Sequence, residues 1–231
     1  MGRKKKDRQV HFENVELLAA GGEGHALAKL DGKVVFVKYG APGDLVDIQI
    51  VGRKKKFSLA KITKIHTESE LRVEPFCEHY GVCGGCKWQH MDYKYQLEYK
   101  QQEVVNHLTR IGKIDLPEIT PIAGSTSQYF YRNKMEFGFS DSKWLTLEQI
   151  RSDEVIEDRN ALGFHIAGMW DKILDIEKCH LQQDPSNAIR NGIKAFATEN
   201  DMAFYNARNQ EGLLRTLMIR TSSTGELMVL V

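Results

Sequence analysis

The sequence predicts an α+β chain in two parts, a small closed β-barrel followed by a mostly antiparallel sheet that carries helices. Three observations predict it. Short alternating apolar runs separated by turn dipeptides fill the first 66 residues. A long polar stretch with apolar residues at helical spacing follows a cluster of cysteines. Strand-like runs then return, interrupted by one more helical segment, which is the pattern of an α+β body.

Residues 1–9 read as a disordered basic tail, and residues 10–68 as the barrel. In "KLDGKVVFVKY" an Asp31-Gly32 hairpin signal precedes Val34, Val35, Phe36 and Val37. In "GAPGDLVDIQIVG" the turn Pro42-Gly43-Asp44 precedes Leu45, Val46, Ile48 and Ile50. "RKKKFSLAKITKIH" gives a further strand with Leu59, Ile62 and Ile65 among lysines. So many short strands in so few residues are best satisfied by closure, which removes exposed edges. "GGEG" at 21–24 has neither the Lys-Ser/Thr of a phosphate loop nor dinucleotide spacing, and reads as a bend.

Residues 69–93 form a cysteine-rich loop. Residues 94–112 are predicted helical, with Leu97, Val104, Leu108 and Ile111 on one stripe and Gly112 at the C-terminal cap. Residues 113–231 make the central α+β domain. Its strands are "QYFYRNKMEFGFS", "ALGFHIAGMW" and "KILDIEKC", its helix is "NAIRNGIKAFATEN", and "LLRTLMIRTSSTGELMVLV" is a closing hairpin. The chain stops within the strand-like "ELMVLV", which suggests a fragment of a longer protein, with a genuine terminal strand as the alternative.

Composition excludes some classes. The 231 residues are 42% apolar and 27% charged, as in a soluble globular protein. No apolar run is long enough to span a membrane as a helix, and the basic N-terminus lacks the apolar segment of a secretion signal. These features point to the cytoplasm, where four cysteines more often mean metal or chemistry than disulfides. Charge is segregated: residues through His66 carry 14 Lys and Arg against 7 Asp and Glu, and the rest carries 18 against 24. A basic module of this kind suggests a polyanionic partner.

Arg53, Lys54, Lys55 and Lys56 are the candidate electrostatic footprint on the barrel, with Phe57 beside them either stacking on a base or filling the core. In "YFYRNKMEFGFS", alternation sends Tyr131, Asn133, Met135, Phe137 and Phe139 to one face. Arg132, Lys134 and Glu136 go to the other. Arg132 and Lys134 are therefore candidates for phosphate or an unstacked base, against the plain alternative of solvated charges on an amphipathic strand. Arg215 and Arg220 are further candidates in the last hairpin.

Cys77-x5-Cys83-x2-Cys86 with the distant Cys179 offers four soft ligands. Structural zinc commonly uses two short Cys pairs, whereas a cubane tolerates three ligands from one loop and one from elsewhere. The spacing favours iron–sulfur, with zinc and unligated thiols as alternatives. Gly84 and Gly85 would let the backbone pass close and aim N–H groups at sulfur. His90 and His180, flanking the cysteines, read as solvated or core histidines.

The stretches "CEHYGVCGGCKWQH", "YRNKMEFGFS", "LGFH…DIEKCHLQ" and "EGLLRTLMIR" together resemble the bacterial RNA uracil-5-methyltransferases, closest to the 23S rRNA branch with an iron–sulfur cluster and a TRAM domain. "LLAAGGEGHALAKLDGKVVFVKYGAPGDLVDIQI" is similar to that TRAM module, an OB-like RNA-binding barrel. The resemblance implies that Cys77, Cys83, Cys86 and Cys179 ligate one 4Fe–4S cluster, a clasp between the TRAM-side loop and the central domain. It implies RNA methylation with S-adenosylmethionine as donor, in rRNA processing more readily than on tRNA; the sequence itself, without a coiled-coil repeat or an apolar spanning run, favours a monomer without membrane association.

It also implies a Rossmann-like methyltransferase domain, expected after Val231 and so missing from this chain, against which the 94–112 helix would pack. In the family a cysteine thiolate adds to C6 of the uracil so that C5 takes the methyl group. No cysteine remains for that role here, so the chain is expected to be inactive alone. Two alternatives stand beside this reading. One is a stand-alone zinc- or cluster-stabilised RNA-binding module. The other is part of a radical-SAM methylthiotransferase, whose Cys-x3-Cys-x2-Cys triplet and C-terminal TRAM fit less well.

Overall fold

In the early apolar runs every second side chain turns inward, and that alternation builds the first half of the fold. The computed structural model describes residues 10–152 and 155–231; the basic tail, residues 1–9, lies outside the described residues. The chain divides into two units, Met1–Phe76 with Lys87–Gly124, and Cys77–Cys86 with Ser125–Val231. Among the described residues no helix is long and apolar enough to cross a membrane.

In the first unit β1 (His11–Glu16), β2 (Ala19–Ala20), β3 (His25–Leu30), β4 (Lys33–Lys38), β5 (Leu45–Arg53) and β6 (Phe57–Thr67) form one sheet in the order β1-β5-β6-β4-β3-β2. Pairing is antiparallel except between β4 and β6. The two edge strands are successive pieces of one segment. Between them the Leu17 N–H bonds to the Asp44 carbonyl and the Leu18 N–H to the Leu27 carbonyl. The sheet thus closes on itself. Inside lie Val15, Leu17, Ala26, Ala28, Val35, Val37, Val46, Ile48 and Ala60. Each fully buried aliphatic side chain contributes about 1.5–3 kcal/mol.

Two turns show their chemistry. Asp31 and Gly32, joining β3 to β4, have φ of 48° and 75°, both positive as a two-residue hairpin of this hand requires. The "GGEG" stretch makes one 3-10 turn over Gly22–Gly24. A Cβ on Gly24 would come within 2.6 Å of the Lys87 Cβ, so glycine fits there for two reasons, close approach and its φ of +75°.

Asp44, read from sequence as a turn residue, is fully buried. Its carboxylate accepts the Ala41 and Ser69 backbone N–H groups at 2.7 and 2.9 Å, and Arg72 Nε and Nη2 at 2.8 and 2.7 Å. Burial pushes this carboxyl up, but those bonds and the Arg72 charge outweigh it and hold it below the ordinary carboxylate range. The residues after β6 are tied to the turn before β5 by this one carboxylate.

Helix α1 (Tyr93–Asn106) starts at Asp92, whose side chain caps the Lys94 N–H, and runs into a π-helical turn over His107–Ile111. The predicted stripe is present but uncovered: Val104, Leu108 and Ile111 are exposed. The predicted glycine cap is corrected. Gly112 keeps a right-handed φ of −70°, and Lys113 takes the left-handed position at 56°. The Ile114 N–H then reaches back to the Leu108 carbonyl at 3.1 Å, the long closing bond of a helix C-terminus.

The second unit holds an antiparallel sheet of β7 (Lys134–Ser140), β8 (Ala161–His165), β9 (Ile173–Asp175), β10 (Thr216–Thr221) and β11 (Leu227–Leu230), ordered β11-β10-β7-β8-β9. The short α2 (Leu147–Arg151) opens with a capping box of Thr146 and Gln149. Helix α3 (Ser186–Glu199) follows β9. Met135, Phe137 and Phe139 of β7 point into a core with Leu162, Leu217 and Ile219. The predicted alternation starts later than the sequence suggested. Strand β7 begins only at Lys134, and Tyr131 is exposed. Upstream, the Phe130 and Arg132 N–H groups bond instead to the His180 and Leu181 carbonyls.

Candidate metal centre and nucleic-acid interface

The cysteine loop is shaped by turns. Tyr80 N–H bonds to the Cys77 carbonyl and Cys83 N–H to the His79 carbonyl, both at 2.9 Å, with Gly81 at φ 86° between them. Cys83 then bridges to Ile166, and Gly84 N–H donates to the His165 carbonyl at 3.2 Å. A Cβ on Gly84 would lie 2.6 Å from that same carbonyl oxygen, so only glycine permits the approach. Gly85 N–H points at Cys83 Sγ at 3.4 Å. The glycine pair thus lets the loop pass close and turns one N–H toward sulfur.

Cys179 arrives from the other side, between β9 and α3. Its N–H donates to Asn187 Oδ1 at 2.7 Å, and its carbonyl accepts Asn187 Nδ2 at 3.2 Å. One helix residue therefore grips the cysteine backbone on both sides. Three positions on, Arg190 is 1% exposed. Its Nε and Nη2 bond to the Ile176 and Glu177 carbonyls at 3.0 and 2.6 Å, and its guanidinium lies over the Phe137 ring, 5.0 Å from the centroid. Arg190 Nη1 is buried without a hydrogen-bond partner.

All four cysteines belong to the second unit. This revises the clasp expected between the TRAM-side loop and the central domain, since residues 77–86 and Cys179 are parts of the same unit. None is in a disulfide. Cys83, Cys86 and Cys179 pack in one cluster. Burial first, then the neighbouring Cys86, Cys179 and Cys77 thiolates, pushes Cys83 up to about 11 despite the Gly85 N–H. Cys179 is raised by burial too, with the Leu181 N–H and Arg190 opposing and Cys86 and Cys77 adding. The thiols feel one another's charge. No trio of His, Cys, Asp or Glu among the described residues converges as a single metal ion requires.

The flanking histidines part ways. His90 is buried, with Nε2 3.1 Å from the Gly40 carbonyl, and burial lowers its pKa. His180 lies against the Phe130 ring, and burial lowers it as well, with the Lys178 charge assisting.

Arg53 ends β5, and Lys54, Lys55 and Lys56 form the exposed tip before β6. Phe57 is not in the barrel core. Its ring meets Phe36 edge-on at 5.3 Å, and Phe36 meets His25 at 6.0 Å, a line of rings on the outer face beside the lysines. The sequence flagged Phe57 but not Phe36 or His25, although strict alternation with Val35 and Val37 was a usable signal.

Arg132 and Lys134 are exposed in the second unit, and Lys134 pairs with Glu136 at 3.2 Å, which favours the plain solvated reading for that lysine. Arg220 lies opposite Lys134 in the β10–β7 register, while Arg215 stacks over Tyr205 at 4.7 Å. Sequence reasoning missed Arg190 and Asn187, and also an open cleft of ≈ 540 Å³ lined by Gly84, Gly85, Phe164, His165, Met169 and Trp170.

Comparison with known proteins adds a context. Residues 12–63 match the TRAM domain. The chain is 56% identical over 209 residues to a protein of Bacteroides thetaiotaomicron described as an uncharacterized RNA methyltransferase, covering 90% of this chain and 46% of that protein. A Porphyromonas gingivalis protein with the same description is 47% identical over 222 residues, 94% of this chain and 48% of its own length. The solved Pyrococcus abyssi tRNA (uracil-54, C5)-methyltransferase in complex with S-adenosyl-L-homocysteine superposes with a TM-score of 0.60 at 27% identity, over 93% of this chain and 44% of that one.

The chain thus spans about half the length of the curated relatives it matches. These matches correct one expectation. The sequence leads to the expectation of a chain without a Rossmann-like methyltransferase domain, and hence inactive. Methyltransferase relatives align along 90% of the chain and a solved methyltransferase along 93%. These alignments contradict a chain that lacks its methyltransferase part, and the expected inactivity loses its basis.

Proposed function

We propose that this chain serves S-adenosylmethionine-dependent methylation of RNA at uracil C5, that it binds the RNA, and that Cys77, Cys83, Cys86 and Cys179 hold a 4Fe–4S cluster. The methylation reading rests on the relatives described as RNA methyltransferases and on the solved tRNA (uracil-54, C5)-methyltransferase with its bound S-adenosyl-L-homocysteine.

The observation that carries the cluster is the gathering of four thiols in one unit around close glycine backbone. The donor set fits. Zinc would draw its sulfurs to about 3.8 Å from one another in a tetrahedron of about 2.3 Å bonds. The thiols act on one another's charge, and the cluster reading rests on the four soft donors and the close glycine backbone rather than on their spacing. The upward push on Cys83 and Cys179 is the reverse of what an attacking thiolate needs. A bound cluster would supply charge and rigidity to the loop; this chain's residues supply the cradle.

Large-subunit rRNA is the target in this reading. The tRNA alternative is favoured by the solved neighbour, whose substrate is a tRNA. Anaerobic purification with iron and sulfide analysis tests the centre: about four of each per chain are expected, with loss in Cys179→Ala. Stoichiometric zinc and no sulfide would overturn it. Binding of unmodified 23S rRNA fragments against tRNA transcripts separates the two targets.

A further inference from the structure

Strands β7 and β8 are antiparallel neighbours that a two-residue turn could join, yet residues 141–160 run between them. A connection of that length in a compact unit commonly carries function. It is pinned to the β9 edge of the sheet: the Trp144 N–H donates to the Ile173 carbonyl at 2.7 Å, and the Lys143 N–H to the Arg159 carbonyl at 2.9 Å. Here opens a cleft of ≈ 550 Å³ whose lining includes Lys143, Trp144, Ile150, Ile156, Arg159 and Lys172. Three cations line it, and among the described residues no carboxylate does. The chain beyond His66 has more acidic than basic residues, so this gathering runs against its surroundings. Lys143 has a partner in Asp175 at 3.1 Å, but Lys194 shares that carboxylate at 2.5 Å, and the trio keeps one positive charge. Arg159 donates to the Lys143 carbonyl at 3.4 Å, and among the described residues neither it nor Lys172 pairs with a carboxylate. The acids of the same segment serve elsewhere: Asp158 caps the Asn160 N–H at 2.9 Å, and the exposed Glu148 and Glu157 do not line the cleft.

We propose that this cleft takes one nucleotide of single-stranded RNA, its base against the Trp144 ring and its flanking phosphates on Arg159 and Lys172. The inference rests on the RNA-binding reading above and deepens it with a contact in the second unit. The recognition is chemical rather than sequence-specific, because every base has a π-face and every linkage a negative charge. A duplex hides its bases in the stack, so a ring can take only an unstacked one. Ile150 and Ile156 supply apolar surface beside the ring, and the cleft is open to solvent, so a strand can enter on one side and leave on the other.

The test follows the full chain binding a fluorescein-labelled oligouridylate by anisotropy across a salt titration. With Arg159 and Lys172 both changed to Gln, the slope of log affinity against log salt should flatten by about 0.7 for each phosphate released, about 1.4 for the pair. Trp144→Leu should weaken binding about tenfold with the slope intact, and Trp144→Phe, which keeps a ring, should recover most of that loss. Binding within twofold of wild type in Trp144→Leu, or an unaltered slope in the double variant, overturns the proposal. A second arm needs no variant: wild-type chain irradiated with a 4-thiouridine strand should yield an adduct on the peptide that carries Trp144. Adducts confined to other peptides overturn the proposal, even if the variants do not fold. Polyglutamate that displaces the strand as well as unlabelled oligouridylate would make the occupant an acidic protein segment, and also overturns it. A wild-type chain that binds rRNA and tRNA transcripts but no oligouridylate sinks this inference alone, whereas one that binds none of them sinks the RNA-binding reading with it.

Discussion

Arg72 in the barrel unit sets Nε and Nη2 on the two oxygens of the buried Asp44, and its Nη2 also reaches the Tyr39 carbonyl at 3.0 Å. Arg190 in the second unit is buried more completely, yet among the described residues it meets only neutral oxygens and its Nη1 has no acceptor. Both arginines pin a loop to regular structure. The barrel's charge is closed by its own sequence, so the barrel is electrically finished when folded. The other charge meets no carboxylate among the described residues. The contrast separates a buried arginine paired with a carboxylate from one held by backbone carbonyls and ring packing.

The largest expected effect breaks the closed side of that contrast. Arg72→Ala leaves the Asp44 carboxylate buried with only two backbone donors, and should cost about 3–5 kcal/mol of unfolding free energy in urea. A drop under about 1 kcal/mol would show that the Ala41 and Ser69 N–H groups suffice, and the barrel would no longer depend on its ion pair.

Asn187→Ala probes the open side. It removes both bonds to the Cys179 backbone, leaving a buried N–H and carbonyl unpaired, for about 1–3 kcal/mol each at most and less where water enters. The check is urea unfolding of the metal-free chain, with Asn187→Asp as a control that restores one acceptor. An unaltered midpoint would mean that the segment is held by Arg190 alone.

The two units should also fail at opposite ends of the pH scale. Asp44 is depressed in the folded state, so its contribution is present above the ordinary carboxylate pKa and is lost as pH falls through the lower folded value. Cys83 and Cys179 are raised. The folded state holds those thiol protons more tightly, so that stability is present below the ordinary thiol pKa and is lost as pH rises toward about 11. In the metal-free chain, near-UV dichroism of Trp170 and Trp144 in the second unit should change at alkaline pH. Proteolysis within residues 10–76 should rise below about pH 4. Loading the thiols with metal should abolish the alkaline transition, because the ligands are then deprotonated already.

What the sequence discloses follows the range of the forces involved. Asp31-Gly32 is legible because the two positive φ angles are a local demand. The inward faces of β4 and β7 are legible because alternation is local too, as Val35, Val37, Met135, Phe137 and Phe139 attest. The start of β7 is not. Phe130 and Arg132 leave the sheet for carbonyls some fifty residues away in sequence, and no neighbour in the sequence announces it. The helix end is misplaced for a related reason: the π-turn delays termination by one residue, so Lys113 rather than Gly112 bears the left-handed strain. At the candidate site, the cysteine spacing is visible but its unit is not. Arg190 is the hardest to foresee, since a helical arginine is ordinarily solvated and only the fold buries it. Its signal, a polar pair three apart within the apolar stripe of "NAIRNGIKAF", is faint but present.

The smallest expected effect concerns the exposed tip, where nothing is buried and stability should not change. Changing Lys54, Lys55 and Lys56 together to Ala removes three cations that sit beside the outward rings of Phe57 and Phe36. If the tip meets single-stranded RNA, the slope of log affinity against log salt should flatten by about 0.7 for each phosphate no longer neutralised. Phe36→Ala, by contrast, should weaken binding at every salt concentration with the slope intact, because a ring stacks on a base without displacing counterions, for about 1–3 kcal/mol per base. The pair of titrations distinguishes charge from stacking on one face. Equal slopes in the lysine variant and the wild type would remove the tip from the RNA path and leave the rings as ordinary packing between β4 and β6.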